Sequence, residues 1–186
     1  MKRKRTKTTS PPIPPAPFAE APAVWFSVDP GGTKESWAVE WHGAEAVRFL
    51  KIETSRPGWV LAIGKAPHLV VIEEGLPVVK NPHASLPLEA TRGRLEGWAD
   101  AYGADWLRVK PDGWRLQLGL PRRKRKGETD AQFKAHSRTL CDRLYAHPLM
   151  SGSQVPHIPL AAEASNDDKR EALLLGLACA LHWRWL

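Results

Sequence analysis

The chain has few cysteines, few tyrosines and methionines, and no long apolar run. Cys141 and Cys179 are its two cysteines, 38 residues apart in sequence by their numbers and both within apolar helical patterns. Two thiols so placed give neither a disulfide framework nor a zinc spacing, and are expected as buried thiols in a reducing cytoplasm. No apolar stretch approaches the length of a membrane-spanning helix. The N-terminus is basic and Pro-rich without an apolar core segment, so it is not expected to act as a secretory signal. There is no GxxxxGK[ST] loop, so no ATP-driven activity is expected. No Ser-His-Asp or Cys-His arrangement stands out. His68, His83, His136, His147, His157 and His182 show no ligand spacing among themselves. Scarce Asn, Gln, Met and Cys beside plentiful Pro, Arg and Trp lean toward a thermophilic source.

What is present is an uneven charge. Of 27 basic residues, five lie in residues 1–10 (Lys2, Arg3, Lys4, Arg5, Lys7) and five more form the run Arg122-Arg123-Lys124-Arg125-Lys126. The remaining 17 stand against 20 acids, a net of −3, although the whole chain is at +7. A mildly acidic body with two concentrated basic segments suits a polyanionic partner, bound through the release of condensed counterions. Residues 1–23 read as a basic, Pro-rich disordered or extended arm, followed by a folded domain over 24–186.

Within that domain the apolar patterns alternate as strand and helix. Ala23 to Val28, Ser36 to Trp41 and Ala46 to Glu53 read as three leading strands, the first two joined through Gly31-Gly32. A short helix is expected over Arg56 to Lys65, and the all-apolar run Leu69 to Ile72 fits a central strand covered on both faces. Ser85 to Tyr102 has helical spacing, Trp106 to Val109 is a short strand, and Lys110 to Leu120 a loop with a short helix. Thr129 can cap a helix through Tyr145, and Asn166 or Asp167 a last one to about Trp185. Three antiparallel strands followed by α/β units predict an α/β fold: a mixed five-stranded sheet flanked by helices.

Three acidic stations punctuate this pattern. Asp29 ends the first strand, Glu73-Glu74 end the central one, and Asp167, Asp168 and Glu171 open the last helix. Each alone has a plainer reading, as a turn aspartate or a helix cap. Together, carboxylates at buried strand ends are costly unless a cation meets them. Asp168 and Glu171, three apart, share a helix face, as do Asp167 and Glu171, four apart. Adjacent strand residues face opposite ways, so only one of Glu73 and Glu74 can face the site. Hard oxygen ligands select Mg²⁺ or Mn²⁺, and two ions roughly 4 Å apart could activate water and stabilise the leaving oxygen of a phosphodiester.

Val28-Asp29-Pro30-Gly31, Val71-Ile72-Glu73 with Lys80-Asn81 and the helix from Ser85, and Asp168-Lys169-Arg170-Glu171-Ala172-Leu173 resemble, in order and spacing, the motifs of RuvC-type Holliday-junction resolvases of the RNase H-like superfamily. The resemblance spans about residues 24–185. It implies an RNase H-like fold, with Asp29, Glu73, Asp168 and Glu171 as catalytic and metal-binding carboxylates. It also implies a homodimer that cuts opposed strands of a four-way DNA junction. Glu171 stands where the family more often has Asp, and Leu76-Pro77 where it can present an aromatic wedge. Arg122 to Lys126 are expected to grip junction phosphates, with Lys80, Arg92 and Arg94 extending that surface. Trp114-Arg115 are expected in the core, Trp183 and Trp185 in packing or dimer contacts, and His136 as a possible proton-transfer aid. The competing readings are an RNase H-like nuclease acting on structured RNA or an RNA–DNA hybrid, and a non-catalytic junction-binding protein.

Overall fold

Alternation along two short strands decides which side of the protein each residue faces. The computed structural model describes residues 13–31, 35–52, 67–75, 82–146 and 156–186, with the backbone only for 82–85. Its elements are β1 (Trp25–Asp29), β2 (Ser36–His42), β3 (Glu45–Ile52), β4 (Leu69–Glu73), α1 (Pro82–Ala101), β5 (Asp105–Val109), α2 (Pro111–Gln117), α3 (Asp130–Ala146), a 3-10 turn at Pro159–Glu163 and α4 (Asp167–His182). Among the described residues the strands form one sheet in the order β3-β2-β1-β4-β5. β1, β2 and β3 are antiparallel neighbours, while β1–β4 and β4–β5 run parallel. This is the mixed five-stranded sheet expected from the sequence, three antiparallel strands followed by parallel ones. The expected helix over Arg56–Lys65, the Gly32 end of the first turn, Lys80 and Leu76-Pro77 lie outside the described residues.

One face of the sheet carries Trp25, Val39, Trp41, Leu69 and Val71, and packs on α4 with Trp114 of α2 and Leu144 of α3. The other carries Phe26, Val28, Ala38, Val70 and Ile72, and packs on Leu95, Trp98 and Ala99 of α1. The period of two therefore sends Asp29, four residues beyond Trp25, and Glu73, two beyond Val71, to the α4 side. β4 is apolar from Leu69 to Ile72 because both its faces are covered, as read from the sequence.

α4 is the central helix, with every residue from Ala172 to Ala180 buried. Asn166 is its cap, accepting from the Lys169 N–H at 2.8 Å. The helix stops at His182 rather than near Trp185, because Arg184 adopts a left-handed φ of 60° and the chain folds back to bury Trp183 and Trp185. Trp185 meets Trp25 edge-on, with ring centroids 5.5 Å apart. Gly176 lets α4 approach this layer: a Cβ there would lie 2.5 Å from the Trp41 ring. Gly176→Ala is expected to destabilise the fold by about 1–3 kcal/mol through overpacking, measurable as a lower urea midpoint. At α3, Thr129 and Gln132 form the reciprocal cap, Gln132 N–H to Thr129 Oγ1 at 3.2 Å and Thr129 N–H to Gln132 Oε1 at 2.8 Å.

The arm expected over residues 1–23 is docked over its described part. Residues 13–24 form no helix or strand, yet Ile13 is buried in the α4-side core and the Trp183 indole donates to the Pro14 carbonyl at 2.8 Å. One isoleucine among prolines gives no periodic signal, so packing begins earlier than the expected boundary. Cys141 and Cys179 are free and buried, and burial pushes the Cys141 thiol up to about 12. No helix of the described residues is long and apolar enough to cross a membrane.

Candidate metal and catalytic site

Asp29 and Glu73 are the last residues of adjacent parallel strands. Their register pairs Val28 with Ile72, so the two acids leave the sheet side by side and on the same face. Glu171 comes to them from α4, whose position against β1 is fixed by a buried relay. The Trp41 indole donates to Ser27 Oγ at 2.9 Å, and that hydroxyl donates to the Ala172 carbonyl at 2.7 Å. Ser27 lies two residues before Asp29 and Ala172 one after Glu171, so the relay sets the height of one acid against the other. Asp29, Glu73 and Glu171 each offer a carboxylate oxygen, and these oxygens lie within 4.8 Å of one another.

Three carboxylates this close, half-buried, resist ionisation. Burial raises Asp29 well above the usual carboxylate range, and the charges of Glu73, Glu171 and Asp168 and a hydrogen bond with Glu73 add to it. Burial also raises Glu73, opposed by hydrogen bonds from Trp114 and Asp29 and by the charges of Arg115 and Arg92. Burial and then Glu73 push Glu171 to about 7, against the pull of Arg115 and Lys134. Such a cluster of hard oxygen donors fits a hard divalent cation.

The other sequence-predicted residues separate around this trio. Asp168 has an exposed side chain on the first turn of α4; it is outside the trio but near enough to raise Asp29. Asp167 is engaged elsewhere, by Lys134 at 3.1 Å and Arg170 at 3.0 Å. Glu74 lies past the strand end, its N–H donating to the Val109 carbonyl at 2.8 Å. Arg122, Arg123, Lys124, Arg125 and Lys126 are all exposed, on the loop joining α2 to α3. Three of them have acidic neighbours: Lys124 pairs with Asp130 at 2.7 Å, Arg123 reaches Asp112 at 3.5 Å, and the Arg125 N–H donates to Glu128 Oε2 at 2.9 Å. His136 is held by Glu128 at 3.1 Å, at the far end of this loop, rather than by the carboxylate trio.

Arg92 corrects its expected place on the nucleic-acid surface. It is 4% exposed; its Nε donates to the Glu73 carbonyl at 2.8 Å and its Nη1 to Glu89 at 2.7 Å. Gly75 makes room for it, since a Cβ there would lie 2.5 Å from Nη1. Arg92 thus fixes the backbone that carries Glu73. Sequence reasoning also missed two neighbours of the trio. Trp114, placed in the core as expected, donates from its indole to Glu73 Oε1 at 2.9 Å, and Arg115 donates to Glu171 Oε1 at 2.5 Å. The available signal was positional: Val109 at the end of β5 pairs with Glu73, so a helix starting at Pro111 begins beside the acid.

No protein-family model matches the chain, and no curated protein matches it. Solved structures similar to it include those of resolvases. Thermus thermophilus RuvC in complex with a Holliday junction substrate is 15% identical, with 87% of this chain and 94% of that one covered and a TM-score of 0.48. Thermus thermophilus RuvC alone is 18% identical, with 87% and 95% covered and a TM-score of 0.44. The yeast mitochondrial Holliday junction resolvase Ydc2 is 13% identical, with 89% and 80% covered and a TM-score of 0.48.

Proposed function

We propose that the chain is a metal-dependent, structure-selective endonuclease that resolves four-way DNA junctions by paired symmetric nicks, acting as a homodimer. The observation that carries this reading is the convergence of Asp29, Glu73 and Glu171, from β1, β4 and α4, with oxygens within 4.8 Å. Their mutual repulsion is only partly offset by Arg115, Arg92 and Lys134, which leaves a place for a cation.

Asp29, Glu73 and Glu171 would hold that cation, with Asp168 at the rim. When bound, a divalent cation supplies the positive charge that lowers the pKa of an attacking water and stabilises the leaving oxygen. Asp29 and Glu73, fixed by the sheet, provide the rigid half of the site, and Glu171, fixed through the Ser27 relay, the other. The exposed basic loop starts just beyond α2, the helix whose Trp114 and Arg115 touch the trio, so phosphates gripped there would run toward the carboxylates. Such contacts position a duplex without reading its sequence. The choice of a junction among phosphodiesters rests on the resemblance of the three acidic motifs to RuvC-type resolvases, and a dimer suits a substrate with two related strands to cut.

The test is a labelled immobile four-way junction, a linear duplex and an RNA–DNA hybrid, each incubated with the protein in Mg²⁺, Mn²⁺ or EDTA. Paired symmetric nicks in the junction alone, absent in EDTA, are the expected result. Cutting of the hybrid instead would move the assignment to an RNA-directed nuclease, and binding without cutting to a junction-binding protein.

A further inference from the structure

Two adjacent residues of α2 each commit one oxygen of a different glutamate. Trp114 takes Oε1 of Glu73 at 2.9 Å, and Arg115 takes Oε1 of Glu171 at 2.5 Å. Both are buried, Trp114 at 0% and Arg115 at 4% exposure. The Arg115 guanidinium is clamped between two rings, its carbon 4.7 Å from the Trp114 centroid and 4.6 Å from that of Phe133 on α3. Clamped this way it meets Glu171 through one nitrogen, while its buried Nη1 has no hydrogen-bond partner among the described residues. A forked pairing would satisfy more donors and take both Glu171 oxygens. The clamp gives that up, and the second oxygen stays uncommitted.

We propose that Trp114 and Arg115 are positioning residues that set which divalent cation the acidic trio accepts. With one oxygen of Glu73 held by Trp114 and one of Glu171 held by Arg115, neither glutamate is free to give a cation both of its oxygens. Single-oxygen carboxylates suit a small octahedral cation that keeps several waters; Ca²⁺ takes six to eight oxygens and draws on two-oxygen carboxylates. Groups that orient metal ligands in this way typically govern affinity by about 10–100-fold. The inference rests on the metal-dependent reading above and adds to it a selectivity device outside the ligands themselves.

The test is calorimetric titration of the full chain with Mn²⁺ and with Ca²⁺, for the wild type and for Trp114→Phe, Arg115→Met and Arg115→Lys, each checked for folding by thermal denaturation. Trp114→Phe keeps the ring under Arg115 and removes only the donor. The expected result is a wild-type preference for Mn²⁺ that falls by about tenfold or more in Trp114→Phe and Arg115→Met, through tighter Ca²⁺ binding. Arg115→Lys, which still offers a donor to one oxygen, is expected to keep the preference. Should Arg115→Met fail to fold, Trp114→Phe and Arg115→Lys decide the matter. An unchanged Mn²⁺ to Ca²⁺ ratio in folded variants overturns the inference and leaves the proposed function standing. A wild type that binds neither cation overturns both.

Discussion

Asp29→Asn is expected to keep junction binding while cleavage falls by about 10³-fold or more, the several kcal/mol that charge stabilisation by a bound cation contributes. The same variant is expected to be more stable than the wild type in EDTA near pH 8. Asp29 is the acid most penalised: burial disfavours its charge, and Glu73, Glu171 and Asp168 all repel it. Asparagine has the same shape, carries no charge, and can donate to Glu73, with which Asp29 already shares a hydrogen bond. Removing the charge therefore relieves strain in the metal-free protein and removes a ligand from the metal-bound one. Thermal denaturation with and without Mn²⁺ separates the two effects, since a cation that binds only the folded state raises its midpoint. The wild type should gain from Mn²⁺ and Asp29→Asn should gain little. A variant that still nicks junctions would remove the acidic trio from the chemistry; one less stable in EDTA would mean that Asp29 is already compensated.

The sheet was legible because its signals are local. The apolar run Leu69 to Ile72 and an alternating β2 have few other solutions, and the period of two then sends Asp29 and Glu73 to one face once β1 and β4 pair. That parity also favours Glu73 over Glu74, which the sequence had left open. Glu171 followed from helical spacing, but spacing alone cannot say how deep each acid of one face reaches. Asp168 sits at the exposed first turn, whereas Glu171, almost one turn further in, faces the strand ends. What the sequence hid were the long-range partners. Trp114 and Arg115 read as packing, and so they are, but each also meets an acid 41 or 56 residues away. Arg92 read as a surface cation on a helix; it turns inward because the Glu73 carbonyl at the strand end needs a donor and Gly75 clears the space.

In EDTA the protein is expected to lose stability as pH rises from about 4.5 to about 7, opposite in direction to a protein whose carboxylates are salt-bridged when folded. The sign follows from Glu171. Its ordinary value is 4.5, and in the fold burial and the charge of Glu73 push it to about 7. Between those values the folded state holds a proton that the unfolded chain has released, so raising the pH favours unfolding. Below the lower value both states are protonated and the preference is fully present; above the upper it is spent. The Glu171 share is at most about 3 kcal/mol, an upper figure because Arg115 holds that side chain and the three acids titrate as one group. Asp29 and Glu73 shift in the same direction and add to the slope. Urea denaturation from pH 4 to 8.5 measures this directly. Glu171→Gln is expected to take much of the slope away, and saturating Mn²⁺ to flatten or reverse it, since a cation binds the deprotonated trio and not the unfolded chain. A profile equally flat with and without EDTA would mean that Arg115, Arg92 and Lys134 already balance the acids, and the case for a cation between them would fall with it.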